Sequence, residues 1–159
     1  MSSIRIKHLF ISPGHNFIGH HGGVPSEHPM IECEEIQCLA GRGIEGDRFL
    51  DFNADYKGQV TFFSNEVYEE VCAKFDVRDK PASAFRRNII VEGADLNALI
   101  GREFAVQGVR FLGTQESAPC HWMNTAFAPG AEDALKGRGG LRAKVLCDGV
   151  LRVSGEDAR

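Results

Sequence analysis

A chain of 159 residues, 43% hydrophobic and 25% charged, has the composition of one soluble globular domain, long enough to bury a core without disulfide or metal staples. Its net charge of −4 weighs against general nucleic-acid affinity, which calls for a broad basic surface, and no apolar run approaches the ~20 residues that cross a bilayer. The opening residues lack a long apolar core and a small-residue cleavage site, so no secretory leader is expected and a cytoplasmic location is the default.

Residues 4–12, IRIKHLFIS, alternate in strand fashion and stop at Pro13-Gly14. Residues 13–30 hold three prolines, four glycines and four histidines and are expected to form a loop. MIECEEIQCLA, residues 30–40, reads as a second strand, and the glycine-rich AGRGIEGDRF that follows reads as a structured turn. GQVTFFS, residues 58–64, is rich in β-branched and aromatic types, and Ser64 is placed to cap a helix. In NEVYEEVCAKF the apolar positions Val67, Val71, Cys72 and Phe75 fall at helical spacing, with glutamates early and Lys74 late, as the macrodipole favours.

FRRNIIVEG, REFAVQGVRFLGT and LRAKVLCDGVLRVSG all read as β structure, the last with Asp148-Gly149 as a hairpin signal. PGAEDALKG, residues 129–137, is long enough for a short helix. Many short strands joined by glycine turns, with two helices among them, predict a mainly β single domain over residues 1–159. Its sheet is expected to be a closed or half-closed barrel, which removes exposed edges.

The five cysteines are scattered without a Cys-x-x-Cys pair, a pattern of free thiols rather than a disulfide framework. Cys33 and Cys38 point to opposite faces of one regular strand, Cys72 lies on the apolar helix face, and Cys147 ends a strand beside a turn. Cys120, in ESAPCHWMN, belongs to no periodic element and follows Pro119. It is either an exposed reactive thiol, with His121 and a downstream helix favouring the thiolate, or another small interior residue.

Arg86 and Arg87 are the densest basic spot. If they lie in a strand they face opposite ways, so one can meet an anion inside while the other stays in solvent; a charged strand edge is the alternative. GRGG at 137–140 offers backbone N–H groups able to cup an anion, flanked by Arg138 and Arg142. Asp47 with Arg48 is either functional or a structural ion pair in a turn. His15, His20, His21 and His28 suit a transition metal by type but match no compact ligand spacing.

Taken in order, GRGIEGDRF (41–49), FRRNIIVEGADLNALIGREF (85–104), GTQESAPCHWM (113–123) and GRGGLRAKVL (137–146) resemble the MOSC family, the C-terminal domain of molybdenum cofactor sulfurase. The resemblance spans about residues 4–155; Phe49 departs from it, standing where a histidine often follows Gly-Asp-Arg. It implies a barrel-like β domain, similar to the pyruvate kinase barrel, that handles molybdenum cofactor, an anionic pterin phosphate. It also implies that Cys120 either carries sulfur as a persulfide or meets the molybdenum atom directly.

On this resemblance Asp47, Arg48, Arg86, Arg87, Asn88, Gly139, Gly140 and Arg142 are the expected cofactor-binding residues, and Cys120 is both catalytic residue and metal ligand. The resemblance implies a sulfurtransferase-like protein or a molybdenum-dependent reductase of small N-hydroxylated compounds. The chain has no room for a pyridoxal-phosphate domain of its own, so a separate cysteine desulfurase or an electron-donor protein is the expected partner, with no nucleic acid or membrane. A passive molybdopterin carrier, and a metal module built on the histidine loop with Cys120 and His121, are the alternatives.

Overall fold

The computed structural model describes residues 4–13 and 30–154. Ten strands follow in order: β1 (Arg5–Ile11), β2 (Ile31–Cys33), β3 (Glu35–Leu39), β4 (Gly43–Ile44), β5 (Val60–Ser64), β6 (Ile89–Glu92), β7 (Glu103–Val106), β8 (Val109–Glu116), β9 (Leu141–Val145) and β10 (Gly149–Arg152). The helices are α1 (Asn65–Phe75), α2 (Trp122–Ala126) and α3 (Ala131–Ala134), with single 3-10 turns at Ala82–Phe85 and Leu96–Leu99. The fold is therefore mainly β with a few helices, as the sequence leads one to expect. None of the helices is long and apolar enough to cross a membrane.

Seven strands form one sheet in the order β2-β1-β6-β5-β9-β8-β7, and β10-β3-β4 form a second. Neighbours in the large sheet are antiparallel except β5 and β6, which run parallel and are joined through α1. That crossover starts as the sequence implies: Ser64 is the N-cap, its hydroxyl accepting from Val67 N–H at 3.2 Å. Asp76 ends the helix in the left-handed region at φ 51°.

Strand alternation sorts the apolar residues of the large sheet between two cores. Leu9, Phe62 and Ile89 face a core shared with Ile36, Cys38, Ile44 and Leu151 of the small sheet. Their neighbours Phe10, Phe63 and Ile90 face a second core filled from the helical side by Val71, Phe85, Met123, Phe127 and Leu135. Each face thus buries its own apolar set, as the period of two requires.

Several expectations need correction. Hydrogen bonding does not close the sheet: among the described residues β2 and β7 remain separate edges. The small sheet covers the inner face instead, so the core is sealed by stacking rather than by strand closure. The single strand expected over residues 30–40 breaks at Glu34, giving β2 to the large sheet and β3 to the small one.

The hairpin expected at Asp148-Gly149 does not form, because β9 and β10 lie in different sheets. A two-residue type I′ turn needs positive φ at both central residues, which neither Asp148 nor Gly149 has. Asp148 instead accepts from Ala40 N–H at 2.7 Å, and a Cβ on Gly149 would sit 2.6 Å from a Val109 methyl. A true tight turn occurs at Gln107-Gly108, with φ 50° and 83°, between β7 and β8. The helix expected at 129–137 is one turn, α3, and α2 precedes it.

Candidate functional site

At the edge where β8 ends and β5 and β6 begin, the chain forms a cleft of about 340 Å³. Arg48, Arg86, Arg87, Arg142 and Cys120 all line it, although they come from four separate stretches of sequence. Gly58, Thr61, Gln115, Ser117 and Trp122 complete much of the wall.

Arg86 and Arg87 are not strand neighbours, contrary to the sequence-based picture of opposed faces. They precede β6, and Arg86 closes the 3-10 turn in the left-handed region at φ 57°, ψ 41°. That twist breaks strand alternation and lets both side chains line one cleft. Arg48 secures the backbone there, donating from Nη2 to the Arg86 carbonyl at 3.1 Å, while Arg86 Nη2 donates to Ser12 Oγ at 3.0 Å.

The arginines divide into two kinds. Arg87 is 8% exposed and spends its N–H groups on carbonyls: Gly139 at 2.9 Å, Phe85 and Ser117 at 3.0 Å, and Ala118 at 3.2 Å. It therefore clamps the loop leading to Cys120 against the Gly139 turn. Arg48, Arg86 and Arg142 line the same cleft and also have other partners. Arg48 lies 4.6 Å over the Phe49 ring, and Arg142 lies 5.3 Å over Tyr56 and donates to its hydroxyl.

Burial lowers the pKa of three of these guanidinium groups, and like charge adds to the effect for Arg86 and Arg87. Burial pushes Arg86 down to about 10, neighbouring Arg48 adds to the fall, and Asp47 opposes it. Burial also pushes Arg87 down to about 10; the Cys120 sulfur holds it up, while Arg48 and Arg142 depress it further. Arg48 is lowered by burial against the pull of Asp47. An anion entering the cleft relieves all three, since opposite charge favours the protonated guanidinium.

Asp47 and Asn88 stand behind the cleft rather than in its wall. Asp47 accepts from Ser12 N–H at 3.0 Å, Phe49 N–H at 3.2 Å and Asn88 Nδ2 at 3.2 Å, with Arg48 at 3.5 Å. Fully buried Asn88 accepts from Thr61 N–H and Oγ1 at 3.0 and 3.1 Å and donates to the Phe10 carbonyl at 3.1 Å. Together they bolt the turn bearing Arg48 to β1, β5 and β6.

Gly139 and Gly140 serve close approach. A Cβ on Gly139 would lie 2.4 Å from the Ser117 carbonyl and 2.8 Å from Pro119, and one on Gly140 2.3 Å from the Phe62 carbonyl. The Gly139 N–H expected to cup an anion donates to Glu116 at 3.2 Å.

Cys120 is the exposed thiol; Cys33, Cys72 and Cys147 are partly buried and Cys38 fully so. Burial pushes Cys38 up to about 12, with nearby Cys147 adding to the rise, so it is an inert core group. His121 immediately precedes α2, with its Nδ1 4.0 Å from Glu132, and its ring is not part of the cleft wall. His15, His20, His21 and His28 lie outside the described residues, among which no cluster of three or more His, Cys, Asp or Glu side chains is arranged to hold a metal.

Sequence reasoning missed Tyr56, Gly58, Gln115 and Trp122. Gly58 alone carried a signal, as a glycine at the mouth of a β-branched run: a Cβ there would lie 2.7 Å from Arg142 Nε.

The fold and site thus define a mixed sheet backed by a second sheet, with a cationic cleft and one exposed thiol at its edge. The model of the MOSC domain matches residues 19–157, and the chain belongs to that family. The YuaD protein from Bacillus subtilis is similar in structure, with TM-score 0.72 and 18% identity over 96% of this chain and 92% of its own. YiiM from Geobacillus stearothermophilus has TM-score 0.67 and 15% identity over 94% of this chain and 71% of its own. YiiM from Escherichia coli has TM-score 0.60 and 19% identity over 89% of this chain and 65% of its own. At such identities the likeness speaks for the fold. No curated protein matches the sequence.

Proposed function

We propose that the cleft binds molybdenum cofactor and that Cys120 is the residue whose sulfur serves it, as molybdenum ligand or as persulfide carrier. The observation that carries this reading is the convergence of Arg48, Arg86, Arg87, Arg142 and Cys120 on one cleft in a chain of net charge −4. Three features favour an acceptor-rich anionic ligand. Burial lowers the Arg86 and Arg87 guanidinium pKa values, and neighbouring arginine charge adds to the fall. Gly58 lets the Arg142 guanidinium lie against the backbone at the cleft, where a Cβ would stand 2.7 Å from its Nε. The buried indole N–H of Trp122 has no acceptor among the described residues.

The residues then divide the work. Arg48, Arg86 and Arg142 neutralise the phosphate and orient the ligand, since guanidinium forks suit oxyanions. Arg87, its donors committed to carbonyls, fixes the path of residues 117–118 and hence where the Cys120 sulfur stands. Phe49 and Tyr56 exclude water from one side of the arginines. When bound, the cofactor supplies a two-electron redox metal for oxygen transfer, and a soft sulfur ligand matches it where a serine hydroxyl does not.

On this reading the substrate is a small N-hydroxylated molecule, with an electron-donor protein or a separate cysteine desulfurase as partner. The exposure of Cys120 favours the carrier role as the second reading, because sulfur transfer requires a partner's access to the thiol.

The test is elemental and pterin analysis of protein purified from a host that makes the cofactor. Near-stoichiometric molybdenum and pterin in the wild type, lost in Cys120→Ala, is the expected result for a ligand role. A persulfide on Cys120 without retained molybdenum points to the carrier. Neither molybdenum nor persulfide in the wild type overturns the proposal.

A further inference from the structure

Trp122 is the only tryptophan of the chain and opens α2, two residues after Cys120. Its indole nitrogen is buried and has no hydrogen-bond partner, the one such side-chain atom among the described residues. Buried tryptophan N–H groups ordinarily find an acceptor, because an unmade bond leaves the donor's desolvation uncompensated. Nor is Trp122 core filling: Met123 and Phe127 of the same segment enter the helix-side core, and Trp122 belongs to neither core.

Its position supplies another purpose. Trp122 lines the arginine cleft and also a second hollow of about 260 Å³ bounded by Met30, Lys80 and Ser83. Arg86 is the other residue common to both. The two side chains thus form the partition between two spaces, one bringing a cation and the other a neutral donor with no acceptor among the described residues.

We infer that Trp122 is a ligand-binding residue of this cleft, its indole N–H donating to an oxyanion of the ligand that Arg86 attracts. The inference rests on the proposed function only for the ligand's location and requires no molybdenum. The nitrogen is shielded from solvent, so the indole turns slightly to present it, and no internal hydrogen bond opposes that turn. Arg86 supplies attraction and Trp122 supplies direction, since an indole N–H only donates and so selects an acceptor.

A single tryptophan gives a single indole cross-peak in a spectrum of 15N-labelled apoprotein. Titration with inorganic phosphate, and separately with molybdate, is expected to move that proton downfield and saturably with at least one of them. Calorimetry on Trp122→Phe, which keeps a ring and removes the N–H, is expected to show roughly tenfold weaker binding of the same anion. Its thermal midpoint is expected not to fall. The inference is overturned by an indole signal that stays still while Gly58 and Thr61 amides report saturation, by Trp122→Phe binding as tightly as wild type, or by no saturable shift with either anion. Loss of molybdenum retention in the purification experiment leaves these readouts untouched, so the two ideas fail separately.

Discussion

Asn88 answers hydrogen-bonding groups on β1, on β5 and in the turn bearing Asp47, all within the interior. Asn88→Ala orphans the Thr61 N–H and the Phe10 carbonyl together, so a loss of about 3 kcal/mol in urea unfolding is expected, with anion binding falling as the Arg48 turn loosens. Cys38 acts through pH. Its thiol, fully buried and raised to about 12 from an ordinary value of 9.0, stays protonated in the folded chain while the unfolded chain ionises. The folded state then holds more protons, so this contribution is intact below pH 9.0 and is lost as pH rises towards 12. Cys38→Val is expected to flatten the fall of the thermal midpoint between those two values; an unchanged slope sinks the idea.

At the scale of elements, Ser64 begins α1 with its hydroxyl on Val67 N–H, so Ser64→Ala is expected to cost about 1 kcal/mol in chemical denaturation without altering the cleft. Gly139→Ala has a different reach. The added methyl collides with Ser117 and Pro119, shifting the loop that ends in Cys120, so molybdenum retention is expected to drop at least tenfold with the sheet intact by circular dichroism. Elements with local signals were legible: the Ser64 cap, the helical spacing to Phe75 and the presence of β1 follow from a few neighbours, although a register shift between Ile6 and His8 breaks the expected alternation and puts Ile6 and Leu9 in one core. The break at Glu34 and the parting of β9 from β10 were not, since both depend on which sheet a strand joins. Nothing in residues 141–155 records that β3 takes β10 as its partner.

For the whole molecule, the site was legible as residue types and not as roles. Arg48, Arg86, Arg87 and Arg142 stood out as cations, yet only the folded chain separates Arg87, closed off by four carbonyls, from the three that line the cleft with other partners. Asp47 and Asn88, expected among the cofactor-binding residues, hydrogen-bond to the scaffold behind the cleft, a placement that residue type does not reveal. The cleft's field sits on a chain of net charge −4, so anion binding there is expected to weaken only moderately with added salt, as befits one local site rather than a basic face. Calorimetry across a salt series checks this, and a steep slope contradicts it.

Arg86 holds a left-handed backbone that glycine adopts without a Cβ penalty, and it does so with a cation that its neighbour Arg48 repels. Arg86→Gly is therefore expected to unfold at a higher temperature than Arg86→Ala, by about 1 kcal/mol in stability, while both lose affinity for oxyanions. If the cleft binds the proposed ligand, the position trades rigidity for recognition: a screen for thermostability is expected to return glycine there, along with a protein of weakened oxyanion affinity.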